Sequence, residues 1–335
     1  MSIVVKVYRG NVVDLTHIGH IAVVDYMGNI LYYYGNPYRV TFARSSAKPI
    51  QVIPVIESGA ADEYGIEDKE IALFCASHSG EQFHVNSVRS ILSKAGLDEE
   101  YLKCGTHMPI AEYAAKELRD KGLSPKSVHC NCSGKHAGML ITAKYLNEDL
   151  DTYYLLNHPV QKRIKKVLSQ ICDYEEEKIE EAIDGCGVPV HAMPLYKFAQ
   201  GFARLSKPEV FDKNREKVVR RIIKSMTSYP EMVAGTDRIC TDLMRLCGDR
   251  LFAKAGAGAY YAIGIRDRGI GLTFKIEDGN SKVLTAVMLE TLRQLNIINE
   301  AELKKLEKYY IIKNKNHKGE VVGEVKVEFE LIKNE

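Results

Sequence analysis

The chain has 335 residues, 45% of them apolar and 27% charged, with 46 basic and 44 acidic side chains giving a net charge of +2. That balance offers no electrostatic attraction for nucleic acid or an anionic membrane surface, and no apolar run approaches the roughly 20 residues a bilayer span needs. The chain opens directly on a strand-like run rather than a leader, so its eight cysteines read as free thiols or metal ligands of a cytoplasmic protein.

Residues 3–42 alternate short apolar runs with turns: Tyr8-Arg9-Gly10-Asn11 and Met27-Gly28-Asn29 are turns, Ile21–Val24 and Ile30–Tyr34 strands. A helix is predicted over 46–60. Pro49 suits its first turn, Pro54 should kink it, and Ser45 falls at the positive end of its dipole. Ile71–Ala76 reads as a short buried strand ending at Ser77, and Ser79 with Gln82 fits a capping box for the segment after Glu81. Residues 81–248 carry helical apolar spacing, as in Val218, Val219, Ile222 and Ile223. Strand character returns over 251–275, an amphipathic helix follows over 283–297, and Tyr309–Ile312 with Val321–Leu331 predict a closing hairpin. The pattern predicts an α/β (α+β) fold: one antiparallel sheet built from both termini, approximately 1–76 and 250–335, with a helical insertion over approximately 77–249. Catalytic groups are expected in the cleft between the two parts.

Three short motifs carry the chemistry. Ser45-Ser46-Ala47-Lys48 puts a hydroxyl and an amine on one helix face at i, i+3, where a neutral amine can take the proton as the oxygen attacks a carbonyl. An ordinary lysine, with pKa about 10.4, must be brought toward neutrality for this, ~4 kcal/mol of differential stabilisation that burial and a second nearby cation can supply. Ser46 is a lesser candidate for nucleophile, and helix capping is the bland alternative for either serine. Ser77, in Ser77-His78-Ser79, offers a second hydroxyl for proton relay. Lys254 lies in a run of small residues, Ala253 to Ala259, that lets a substrate backbone approach; an exposed edge lysine is the competing reading. In order, these motifs resemble the Ser-x-x-Lys, Ser-x-Asn and Lys-Thr-Gly elements of serine acyl-enzymes of the β-lactamase and penicillin-binding type.

A second constellation is Asn131-Cys132-Ser133-Gly134-Lys135-His136 with Asp184-Gly185-Cys186-Gly187. Two glycine-flanked cysteines on loops can grip a soft metal, with a third ligand near the first. Spacing alone favours His136 or Cys130 over Lys135 as that third ligand, and two buried core thiols are the plainer alternative. Cys75, Cys104, Cys172, Cys240 and Cys247 read as core.

Arg44–Gln51, Glu57–Asp62, Ala76–Glu81, Cys104–Pro109, Asn131–Leu140, Asp184–Val190 and Val233–Arg238 together resemble the rhizobial-type L-asparaginase II family, over about residues 6–328. The resemblance implies hydrolysis of L-asparagine to aspartate and ammonia by a cytoplasmic homodimer with a β-lactamase-like fold. It carries Ser45 with Lys48, and Ser77 with Lys254, onto two catalytic Ser–Lys tandems. It carries Cys132, Lys135 and Cys186 onto a zinc site, and Arg44, His136 and Asp184 onto supporting, substrate-binding positions. After Lys254 the family usually reads Gly-Ala-Glu-Gly, whereas this chain has Gly256-Ala257-Gly258-Ala259. The readings from other classes are a related serine amidase acting on glutamine or another amide, and a non-catalytic zinc-dependent asparagine-binding protein.

Overall fold

The computed structural model describes residues 2–266 and 268–335. Met1 and Asp267, which fall within stretches expected to be part of the sheet, lie outside the described residues. The strands are β1 (Ile3–Arg9), β2 (Val12–Asp25), β3 (Ile30–Tyr34), β4 (Val40–Phe42), β5 (Glu180–Ile183), β6 (Pro189–Pro194), β7 (Leu251–Gly256), β8 (Tyr260–Ile265), β9 (Ile270–Ile276), β10 (Lys313–Lys315), β11 (Val321–Val327) and β12 (Ile332–Lys333). Nine of them form one antiparallel sheet in the order β10-β11-β1-β2-β9-β8-β7, with β3 pairing β2 and β12. The long β2 makes this possible: its first half pairs β1, while Gly19–Asp25 pair β9 and Ile21–Val24 pair β3. Both chain ends therefore meet in one sheet.

β8 is buried along its whole length, because helices cover both sheet faces. A Cβ at Gly271 would sit 1.9 Å from Ala199 O, and Thr273 donates to Leu195 O, so this face of β9 receives the helix Leu195–Ser206. Side chains alternate along a strand, which leaves Leu272 and Phe274 to the helix Ser281–Gln294 on the other face. Burying a Leu or Phe fully contributes about 1.5–3 kcal/mol each. No helix among the described residues is long and apolar enough to cross a membrane.

Several local expectations change. Ile71–Ala76 is not a strand: Asp68–Phe74 is a helix, started by Glu67 N–H donating to the Glu70 carboxylate. A short apolar run cannot separate strand from buried helix, and the acidic cap is the signal that decides it. The helix predicted over 46–60 breaks at Val52 into Lys48–Gln51 and Ile53–Glu57, each with its proline in the first turn. Ser79 does not cap the next helix; its hydroxyl donates to Ala234 O, and Glu81 occupies the cap position. Glu307–Tyr310 is helical, so the first arm of the closing hairpin is β10 instead. Finally, the stretch read as mostly helical contains β5 and β6, which join β4 in a three-stranded sheet, β4-β6-β5. The charged sequence Glu180-Glu181 masks β5, an exposed edge strand without strict alternation.

Candidate active site

Four chain segments converge next to β7. The first is Arg44–Ala47, a 3₁₀ turn laid across the end of β7. It comes close because Gly256 has no side chain: a Cβ there would stand 2.6 Å from Ala43 O and 2.9 Å from Ser46 Oγ. Arg44 itself has φ +51°, in the left-handed region that a side chain with a Cβ rarely occupies. The opposing anchor is Asp184, whose Oδ1 lies 2.7 Å from Arg44 Nε and 2.5 Å from Nη2. The small sheet supplies that anchor, since β4 leads into Arg44 while the β5–β6 turn carries Asp184 and Cys186.

The second segment, Ala76-Ser77, follows the helix Asp68–Phe74. The third is the start of the helix Ser133–Tyr145, which is buried all along its first three turns. These two helices touch at Gly134, where a Cβ would meet Leu73 O at 2.3 Å. That contact brings Cys132 opposite Ser77. The fourth segment is Lys254 on β7.

Ser45, 8% exposed, makes no side-chain hydrogen bond among the described residues, so its hydroxyl stays available. Ser46 is fully buried and donates to Lys254 O at 2.8 Å, which commits its hydroxyl to packing the turn on the strand. Lys48, 1% exposed, does not bond Ser45. Its Nζ donates to Ala76 O, to Ser77 Oγ at 3.1 Å and to Cys132 Sγ at 3.2 Å, using all three directions of an ammonium. The expected Ser77–Lys254 hydrogen bond is not formed either. Lys254 donates to Ala255 O at 2.7 Å and is fully buried. Burial, with the charges of Lys48 and Arg238 adding to it, pushes Lys254 down to about 7, against the opposite pull of Cys240 and Cys132. Near neutrality this amine is partly unprotonated.

The sulfur side of the cleft holds Cys132, Cys186 and Lys135. Lys135 Nζ lies 3.3 Å from Cys186 Sγ. The neighbouring Cys130 and Cys186 thiols, with Lys48 and Lys135 beside them, hold Cys132 below the usual thiol range against the effect of burial. Burial opposes the charge on Lys135, yet Cys186, Cys132 and Asp184 together raise it above its ordinary value. Among the described residues no three His, Cys, Asp or Glu side chains converge to hold a metal. The two sulfurs and a deprotonated Lys135 amine would offer a soft S/N donor set of the kind that suits zinc. His136 is buried behind them, its Nδ1 2.7 Å from Tyr153 Oη, which itself accepts from Lys103 N–H. The opposite ring atom, Nε2, is buried and has no partner among the described residues. Burial, then Lys135 and Lys48, lower His136 to about 3, so it stays neutral.

Sequence reasoning missed two neighbours. Cys240, read as core, accepts hydrogen bonds from Ala255 N and Tyr261 Oη at 3.2 Å each, closing the free edge of β7 beside Lys254. Arg238 stands next to it. Neither has a local spacing signal, since both arrive from the start of the helix Ile239–Cys247. All eight cysteines are buried free thiols, so no disulfide constrains the cleft.

The L-asparaginase II family model matches residues 5–327. Among solved structures, a β-lactamase from Mycobacterium bovis is 11% identical, with 88% of this chain and 95% of that one covered and a TM-score of 0.41. A D-alanine carboxypeptidase from Burkholderia cenocepacia is 12% identical, over 87% and 93% of the two chains, with a TM-score of 0.38. No curated protein sequence matches the chain.

Proposed function

The chain belongs to the L-asparaginase II family and is an amidohydrolase acting on asparagine; from that premise we propose that it works through a serine nucleophile, an acyl-enzyme and a zinc site beside the reacting groups. Ser45 Oγ attacks the side-chain amide carbon, and its proton passes to the buried amines. Lys48, one helical turn from Ser45, hands protons along with Ser77, and Lys254 is the amine nearest neutrality. Backbone N–H groups at Ser45 and Ala257 stabilise the oxyanion, about 3 kcal/mol per donor. Collapse breaks the C–N bond, and the nitrogen takes up the proton and leaves as ammonia. Water then attacks the β-aspartyl ester, releasing aspartate and restoring the Ser45 hydroxyl. The observation that carries this reading is the gathering beside β7 of an uncommitted Ser45 hydroxyl, a Lys48–Ser77 hydrogen bond and a fully buried Lys254. Arg44, Asp184 and His136 hold the substrate side, and the resemblance adds a cytoplasmic homodimer.

Ammonia release from L-asparagine, L-glutamine and a chromogenic cephalosporin tests it. Asparagine is expected to lead in kcat/KM by at least about tenfold. Tight asparagine binding with no ammonia would make the protein a binding module instead.

Cys132, Lys135 and Cys186 are the residues that hold the zinc in this reading. When bound, it adds positive potential beside the amines and the substrate carboxylate. Cys132→Ser is expected to leave less than about a tenth of the wild-type zinc after dialysis against chelator. Equal zinc in both proteins by elemental analysis would remove Cys132 from the ligand set.

A further inference from the structure

The Lys48 amine is held from two sides. It meets Ala76 O and Ser77 Oγ on one segment, the serine at 3.1 Å, and Cys132 Sγ on another at 3.2 Å. These segments are distant in sequence, so a contact between them must fix the gap that the amine spans. His78, the central residue of Ser77-His78-Ser79, makes that contact. It is fully buried and grips both neighbours of Cys132: its backbone N–H donates to Asn131 O at 3.1 Å, and its ring Nε2 lies 2.8 Å from Ser133 Oγ.

Groups with a single role set the proton directions along this bridge. Gly80 N–H, which can only donate, approaches Nδ1 at 3.1 Å, so the ring proton is on Nε2. Val128 O, which can only accept, takes the Ser133 hydroxyl proton at 3.0 Å, and Ser133 Oγ therefore accepts from Nε2. One face of the ring stacks on His84, with centroids 4.8 Å apart and planes 19° from parallel. An apolar side chain would fill that volume and stack equally well, without the cost of burying two ring nitrogens. Core filling thus explains the stacking and leaves the bridge to Ser133 unexplained.

Resting on the serine amidohydrolase reading, we propose that His78 is a positioning residue for the reaction, its Nε2–H bridge to Ser133 fixing the gap between Ser77 and Cys132 that the Lys48 amine spans. It acts through geometry and touches neither substrate nor reacting atoms. A proton passes between Lys48 and Ser77 only while the two stay within hydrogen-bond reach, about 2.6–3.2 Å. With the bridge cut, Ser77 N–H still donates to Val233 O and His78 N–H to Asn131 O. The loop then stays in place while its separation from the helix Ser133–Tyr145 loosens. The loss falls on the relay rather than on substrate binding.

The test uses side chains of different reach. Glutamine carries an amide nitrogen near the position of the imidazole Nε2, whereas asparagine extends only as far as Nδ1. His78→Asn is expected to lower kcat for L-asparagine roughly 10- to 50-fold with KM within about threefold, below the ~100-fold that a misplacement of about 1 Å can cost. His78→Gln should recover kcat to within about threefold of wild type. Ser133→Ala, which keeps the imidazole and removes its acceptor, should repeat the loss seen with asparagine at 78. A double-mutant cycle with Ser77→Ala decides the route: without the Ser77 hydroxyl, His78→Asn should change kcat by less than about twofold. Equal losses for the two His78 variants, or an undiminished loss in the Ser77→Ala background, would make His78 a core residue and overturn the bridge while leaving the hydrolase standing. A wild-type enzyme that releases no ammonia from asparagine overturns the hydrolase itself, and the bridge with it.

Discussion

Ser45→Ala is expected to lower asparagine turnover by about four orders of magnitude or more and to abolish any acyl-enzyme, with the melting temperature within about 2 °C of wild type. The structural reason is the division of labour among three serines in one cleft. Ser46 is fully buried and spends its hydroxyl on Lys254 O, so Ser46→Ala should cost about 1 kcal/mol of stability and little rate. Ser77 lies 3.1 Å from an amine and is the competing nucleophile on distance alone. Ser77→Ala should slow turnover by about 100-fold, the scale of a lost proton relay, yet still form an acyl-enzyme. Rapid-quench mass spectrometry of the intact protein decides between them. A mass increase in Ser45→Ala that is absent from Ser77→Ala would exchange the two roles.

Lys254→Met should separate activity from stability. Turnover is expected to fall by about 1,000-fold, while the protein becomes more stable, because methionine suits a fully buried site that an ammonium does not. Folding takes this amine from its ordinary value of 10.5 to about 7. Between those values the unfolded chain carries a proton that the folded chain has lost, so wild-type stability rises with pH there. Below about 7 both states are protonated and the full burial penalty persists. The stability advantage of Lys254→Met should therefore be largest at and below pH 7 and shrink by roughly 1.4 kcal/mol per pH unit above it. Burial sets most of the shift, and the groups facing the amine, Cys240, Lys48, Arg238 and Cys132, adjust it. In the wild type, kcat/KM should rise with pH through about 7 as the neutral amine appears. Denaturant titrations at several pH values check the first expectation and a pH–rate profile the second. A constant stability difference, or a flat profile across that range, would show that Lys254 keeps its charge in the fold.

Gly258 and Ala259 follow from the same surroundings. The turn after Lys254 lacks the acidic residue usual in the resembling family, and here Lys275 reaches it, donating to Gly258 O and to Ile276 O at 2.9 Å. Burial, with Arg39 and Arg44 nearby, lowers Lys275 below the usual lysine range.

By itself the amino-acid order determined the features that depend on near neighbours. Proline positions marked where the helix after Ser45 breaks, and alternating apolar runs marked β2 and β3. Such signals are readable because backbone period and local sterics act over only a few residues. Tertiary structure alone decided the partners. Lys48 meets Ser77 and Cys132 rather than Ser45 because Gly134 lets one helix settle onto the carbonyl that ends another. Arg44 meets Asp184, 140 residues away, through a three-stranded sheet whose edge strand carries too many charges to be recognised alone. Lys254 approaches neutrality because complete burial strips its hydration, and burial belongs to the packed chain rather than to any stretch of it.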